Sequence, residues 1–253
     1  MMASEFKFLN VSTEQKVATI VLNRPDKMNS LSMALRDEIE ECFDALEVDT
    51  DVGSVILTGG TDSFCPGFDI AEVVDTNLES FTHRILEYHT KIYSFPKPIV
   101  AAVSGFALAG GFDLAHCGDI MIASDTAIFG HPEIRFGVNP LLMPLWRKVG
   151  LAKAVEIAMT GETIGAEEAF RIGLVMKVVP PERLLDEAFE IARKLAKIDP
   201  RALAALKRAS IVAPRLDMLA GLEYEFGLTA EIFRQSDPKP TIEAYARRIG
   251  LIK

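Results

Sequence analysis

Cysteine is scarce in this chain: 253 residues contain only Cys42, Cys65 and Cys117, an odd number with no Cys-x-x-Cys spacing. No disulfide framework or zinc pattern is indicated, and a reducing, cytoplasmic compartment is expected. Basic charge is also short, since 27 Lys and Arg face 36 Asp and Glu for a formal net charge of −9. Such a surface repels a phosphate backbone, so nucleic acid is not an expected partner. No apolar run reaches the roughly 18–20 residues of a membrane span. The longest weakly polar stretch, from Lys97 to Asp113, is interrupted by Ser104 and three glycines. The segment from Met1 to Phe8 lacks a basic stretch leading into an apolar run, so neither a signal peptide nor membrane contact is expected.

Chemical fingerprints are missing as well. No Gly-x-Gly-x-x-Gly follows the first strand-like run, no Gly-Lys-Ser/Thr closes a phosphate loop, and no Gly-x-Ser-x-Gly elbow surrounds Ser63 or Ser104. The four histidines, His83, His89, His116 and His131, have no His-Glu-x-x-His or facial-triad spacing, so no metal is expected. What remains is an ordinary folded composition, 49% hydrophobic and 25% charged. A chain of this length should bury roughly 70–75% of its unfolded surface, enough for one large core plus an appendage.

The apolar pattern predicts a hairpin from Phe6–Val11 and Val17–Leu22, and an amphipathic helix through Leu35, Ile39, Phe43 and Leu46 capped near Ser30 or Ser32. Buried strands follow at 55–57, 99–103 and 120–123, with helices over 79–95 and 110–117 between them. Strands alternating with helices imply a parallel sheet covered on its faces. A last strand is expected at 174–179, followed by four helices separated by prolines. The predicted division is an α/β core over residues 1–190 and a helical region over 191–253. Phe64, Phe68, Phe106, Phe112, Phe136 and Trp146 read as core.

Two glycine-bearing loops, 63–70 and 104–113, each lead from a strand into a helix. Unpaired N–H groups at two adjacent helix starts have the geometry of an oxyanion hole, although glycine at such turns also serves backbone freedom alone. Asp113 and Glu133 both lie in weakly polar surroundings. A carboxyl so placed acquires a raised pKa, and a pair near one substrate divides acid and base roles. Asp113 is equally readable as a first-turn helix charge, and Glu133 as a solvated loop residue.

Four ordered stretches resemble the enoyl-CoA hydratase/isomerase (crotonase) superfamily: Asn23-Arg24-Pro25 with Asn29-Ser30-Leu31, Phe64 to Ile70, Pro98 to Gly111, and Phe129-Gly130-His131-Pro132-Glu133. The likeness covers nearly the whole chain. It implies a spiral of ββα units with a helical C-terminal trimerisation region, assembled as a homotrimer or homohexamer. It also implies an acyl-CoA substrate with no separate cofactor, and an enolate held by two backbone N–H groups, which match Phe68 and Gly110. The two catalytic glutamates of the hydratases match Asp113 and Glu133.

Further contacts to substrate or coenzyme A match Asn29, Cys65, Gly67, Asp69, Ile70, Leu141 and, near the C-terminus, Arg248. Aspartate at 113 is one methylene shorter than the hydratase residue. Dienoyl-CoA isomerases carry Asp there but add a second aspartate that would fall on Leu141, as would the nucleophile of halide-displacing members. The activity implied first is hydration of a 2-enoyl-CoA or dienoyl-CoA. Double-bond isomerisation is the alternative, ahead of thioester hydrolysis, decarboxylation or a non-catalytic binding role.

Overall fold

The computed structural model describes residues 6–252. The chain forms two compact units, the first ending at Lys197 and the second beginning at Ile198. In the first unit, β1 (Leu9–Glu14) and β2 (Val17–Leu22) make a hairpin whose turn residues, Gln15 and Lys16, both have positive φ (48° and 67°). That handedness matches the twist of paired strands. β1 runs past its predicted end at Val11 because it is the sheet's edge strand, where Ser12, Thr13 and Glu14 remain exposed.

Helix α1 (Met33–Val48) starts at Ser32, whose hydroxyl accepts from the Leu35 N–H (3.2 Å). Its Leu35, Ile39, Phe43 and Leu46 are fully buried, each worth about 1.5–3 kcal/mol over exposure. Next come β3 (Ser54–Thr58), α2 (Ile70–Asp75), α3 (Leu78–Ser94), β4 (Ile99–Val103), β5 (Phe106–Leu108) and α4 (Gly110–His116). They are followed by β6 (Ile120–Ser124), β7 (Ile128–Gly130), a 3-10 turn at Pro132–Phe136, α5 (Leu142–Val149) and α6 (Leu151–Thr160). The unit closes with β8 (Thr163–Gly165), α7 (Ala166–Arg171), β9 (Val178–Val179) and α8 (Leu184–Leu195).

The larger sheet has the order β1-β2-β3-β4-β6-β9 and is parallel from β2 onward. β3 and β4 are buried at every residue, as a sheet covered on both faces requires. A second sheet, β5-β7-β8, is made of three-residue strands. β4 and β6 are each followed by one of these short strands, and Cys65 after β3 forms an isolated parallel bridge to Ala107. The chain therefore repeats a strand–strand–helix unit, the ββα pattern expected from the family resemblance.

The predicted strand at 174–179 shrinks to Val178 and Val179. Leu174 and Val175 are buried, but their N–H groups donate to Ala169 O (2.9 and 3.3 Å) and form a turn after α7 instead of a ladder. α8 buries Leu184, Ala188 and Ala192 with Val17, Ile56, Val100 and Ile122 of the sheet. This packing keeps α8 in the first unit and sets the division after 197 rather than at 190. Phe136 (77% exposed) and, less so, Phe106 and Trp146 lie outside the core that was expected to hold them.

The second unit comprises α9 (Pro200–Val212), α10 (Met218–Gln235) and α11 (Lys239–Arg248). Asp199 and Asp217 cap α9 and α10 by accepting from backbone N–H groups. Among the described residues of this unit, Ala205, Ala209 and Leu228 are buried together, against Tyr224 and Ile232. Leu206, Leu219 and Phe226 remain well exposed. Among the described residues no helix is long and apolar enough to cross a membrane.

Candidate active site

Three successive segments are stitched together by backbone hydrogen bonds. Cys65 N–H donates to Phe106 O (2.7 Å), Leu108 N–H to Cys65 O (3.0 Å), and Ala109 N–H to Gly130 O (2.9 Å). The loops 64–69, 104–110 and 130–133 are thereby held side by side, each at the end of one ββα unit. The contact tolerates no side chain at position 111, where a Cβ would stand 2.1 Å from Cys65 O. Gly111→Ala is expected to cost at least about 1–3 kcal/mol, because backbone rather than a mobile side chain must give way. Urea unfolding of the purified variant measures it.

Phe68 and Gly110, the two expected amide donors, lie on adjoining loops. A Cβ on Gly67 (φ +116°) would be 3.5 Å from Gly110 N, and one on Gly110 would be 2.5 Å from the Phe68 ring. Gly110 is the first residue of α4, where an N–H has no intrahelical acceptor. Neither the Phe68 nor the Gly110 N–H is taken by an acceptor among the described residues. The Phe68 ring is held edge-to-face against Phe81 (5.3 Å) and under the buried Arg36 guanidinium (5.3 Å), which steadies the backbone that presents its amide.

Asp113 lies in the first turn of α4 and is buried, as is nearly all of the Glu133 side chain. Asp113 is thus a first-turn residue of its helix, as one reading has it, but a buried one, and Glu133 keeps only a small part of its side chain exposed. Asp113 Oδ1 and Glu133 Oε2 have no hydrogen-bond partner among the described residues. Burial, reinforced by the negative Glu133, drives the Asp113 pKa well above the ordinary carboxylate range. Between them stands the fully buried His131, with Nδ1 2.9 Å from Glu133 Oε1 and Nε2 4.0 Å from Asp113 Oδ1. His116, one helical turn beyond Asp113, stacks toward His131 with ring centroids 6.1 Å apart, and burial keeps it neutral.

Ligating atoms of Asp113, His116 and His131 fall within 4.8 Å of one another, so these three are the residues that could hold a cation. Motif spacing did not reveal the two histidines because α4 and the turn after β7 bring them together. Two local signals were present: Asp113 and His116 are three apart on a helix, and Pro132 separates His131 from Glu133 at the start of a 3-10 turn.

Several other expected contact residues are engaged within the fold. Asn29, at positive φ, accepts from Arg24 N–H and donates to Gly59 O and Ser63 O, so its amide shapes the loop before Phe64. Asp69 pairs with Arg24 (2.8 Å), which lowers its pKa, and caps α2 through Ala71 N–H. Cys65 is buried and its thiol is pushed up to about 12, which leaves no thiolate for nucleophilic chemistry. Ile70 is exposed on α2. Leu141 caps α5 without a side-chain bond and joins Ser80, Ile85, Leu86 and His89 around an open cavity of about 870 Å³. Arg248 ends α11 in the second unit, its guanidinium 5.1 Å from the Tyr245 ring centre.

Comparison with known proteins gives a consistent result. The family profile for enoyl-CoA hydratase/isomerase matches residues 12–250. The chain is 37% identical over 248 residues to a probable mitochondrial enoyl-CoA hydratase of Dictyostelium discoideum, covering 96% of this chain and 90% of that protein. It is 37% identical to a short-chain-enoyl-CoA hydratase of Clostridium acetobutylicum, covering 93% of each. Among solved structures, an enoyl-CoA hydratase subunit of Geobacillus kaustophilus superposes with a TM-score of 0.90 at 32% identity, covering 97% of both chains.

Proposed function

The chain belongs to the enoyl-CoA hydratase/isomerase family, and from that premise we propose that it adds water across the double bond of a 2-enoyl-CoA or dienoyl-CoA thioester. The thioester oxygen sits between the Phe68 and Gly110 amides. Attack of water at Cβ builds negative charge on that oxygen as an enolate, and two fixed donors stabilise it most where the charge is greatest. Glu133 delivers a proton to Cα, and Asp113 holds the attacking water and takes its proton. Coenzyme A enters as part of the substrate, with Cys65, Gly67, Asp69 and Ile70 contributing chiefly backbone and Arg248 charge for its phosphates. No further cofactor is proposed.

The observation that carries this reading is the convergence of the buried Asp113 carboxyl and the partly buried Glu133 carboxyl on one imidazole, beside two unengaged amides. A single acid would suffice to shuttle a proton between carbons, whereas adding water needs one group to place the oxygen and another to protonate carbon. The short reach of Asp113 favours the second reading, an enoyl-CoA or dienoyl-CoA isomerase in which Glu133 works alone. Incubation with a panel of acyl-CoA thioesters and mass analysis of the products separates the two. A product heavier by one water supports hydration; an unchanged mass with a moved double bond supports isomerisation.

The second unit supports self-association. The small buried cluster of Ala205, Ala209 and Leu228 cannot account for three helices that leave Leu206, Leu219, Leu222 and Phe226 open to solvent, beside a cavity of about 810 Å³. A homotrimer or homohexamer is proposed. Light scattering at micromolar concentration is expected to give three or six times the 27.8 kDa chain mass, and a mass near 27.8 kDa would remove this assignment. The three cysteines are buried and none is in a disulfide, which agrees with a reducing compartment, and the cytoplasm is proposed.

A further inference from the structure

The two carboxyl oxygens of Glu133 lie in different surroundings. Oε1 is 2.9 Å from His131 Nδ1, while Oε2 has no hydrogen-bond partner among the described residues. The backbone carrying these two side chains is pinned on both sides. Gly130 O accepts from Ala109 N–H (2.9 Å), and Glu133 O accepts from Val138 N–H (3.2 Å) across the turn that Pro132 starts. The His131 ring is fully buried and packs against Phe112, with ring centroids 4.9 Å apart. Beyond this fixed backbone the Glu133 side chain still has several rotatable bonds, and the contact with His131 restricts them.

The same geometry decides which ring nitrogen carries the hydrogen. A neutral imidazole has one N–H and one lone pair. On Nδ1 the hydrogen meets Glu133 Oε1. On Nε2 it would be buried without an acceptor, since Asp113 Oδ1 stands 4.0 Å away, beyond hydrogen-bond reach.

We propose that His131 is a positioning residue whose Nδ1–H holds Glu133 by Oε1, so that Oε2 is the oxygen that carries the proton to Cα. The inference rests on the reading above in one respect, that Glu133 protonates Cα. Oε1 accepts from Nδ1–H both when Glu133 is the acid, with its proton on Oε2, and when it is the carboxylate left after that proton has gone. The ring therefore keeps one tautomer throughout, and no proton passes through it. The other tautomer would put the acid's proton on Oε1, between the two side chains and away from the substrate. A misplacement of about 1 Å in a reacting group costs about 10²-fold in rate, so one buried hydrogen bond that removes this freedom has a measurable effect. Water does not replace it, because the ring is shut off from solvent.

The test compares two full-length variants on a 2-enoyl-CoA in heavy water. His131→Asn keeps an amide N–H close to the position of Nδ1, whereas His131→Leu has nearly the same size and no donor. His131→Leu, confirmed folded by circular dichroism, is expected to lower kcat at least about tenfold with KM within about threefold, as loss of an interaction made in the transition state does. It should also spread the deuterium taken up at Cα over both faces, because protonation is no longer confined to one oriented acid. His131→Asn is expected to keep kcat within about threefold of native and, like the native enzyme, to label one face only. Native kcat with single-faced labelling in His131→Leu overturns the proposal, as do equal losses in the two variants. If His131→Leu does not fold, the NMR signals of the two native ring nitrogens decide: a protonated Nδ1 with an unprotonated Nε2 is expected, and the reverse overturns the proposal. A native enzyme that moves the double bond without adding water still uses Glu133, and the same variants are then read on a 3-enoyl-CoA. A native enzyme active on neither substrate removes the functional reading itself, whereas an active native enzyme with an unaffected His131→Leu variant removes only the role of His131.

Discussion

Glu133→Gln and Asp113→Asn are each expected to lower kcat for 2-enoyl-CoA hydration by about 10²–10⁴-fold, the contribution of a positioned general acid or base. An amide has nearly the shape of the carboxyl it replaces but neither gives nor takes a proton at neutral pH. Stability should hardly change. Asp113 Oδ1 and Glu133 Oε2 already lack partners, and a neutral amide at a buried site avoids the cost of a buried charge. Loss of activity with an unchanged melting temperature therefore isolates chemistry from folding. The pH profile adds a sign: the proposed base, Asp113, would act only when ionised, and burial beside Glu133 raises its pKa. The native rate should therefore rise with pH at values above the usual carboxylate range of about 4. If the enzyme is an isomerase, Glu133→Gln alone should be severe and Asp113→Asn mild, with 3-enoyl-CoA as the substrate. Full hydratase activity in Asp113→Asn would take Asp113 out of the pair.

Legibility in the sequence depended on how far each signal extended along the chain. β4 is five consecutive apolar residues ended by Ser104-Gly105, and α1 repeats apolar positions over four turns, so both were visible from periodicity. β5, β7 and β8 are three residues each, too short for any period to show, and one of them ends in Gly130 while another ends in Gly165. Residue pattern alone therefore missed the second sheet, which only the family resemblance implied. The same limit applies to the site. Asp113 and Glu133 were found as carboxyl groups in apolar company, but their burial depends on pairings between loops distant in sequence. His131 was passed over because metal spacing was sought, whereas its meaning lies in a turn fixed by Pro132 that brings residues two apart into contact. Asn29 and Asp69 were marked as substrate contacts on the family motifs alone, and their side chains are spent on shaping the loops.

The amide donors call for a comparison between two substitutions at one position. Gly110→Ala retains the N–H but adds a Cβ that meets the Phe68 ring at 2.5 Å; Gly110→Pro adds a Cβ at the same place and also removes the donor. The difference between them therefore measures the hydrogen bond rather than the crowding. The ring edge is the far end of a side chain and can tilt, so the alanine variant is expected to fold and keep measurable activity. Proline suits the first residue of a helix, where its missing N–H is not needed by the helix itself. It does restrict Ala109, which already holds an unusual backbone conformation (φ 49°, ψ −127°), so melting temperatures of both variants must accompany the kinetics. Relative to Gly110→Ala, the proline variant is expected to lose about 10²–10³ in kcat, or about 2.7–4 kcal/mol of barrier, as removal of one oxyanion donor does. Phe68→Leu, which changes the ring but not the amide, should retain most activity. Equal rates in folded Gly110→Ala and Gly110→Pro enzymes would show that the thioester oxygen is held elsewhere.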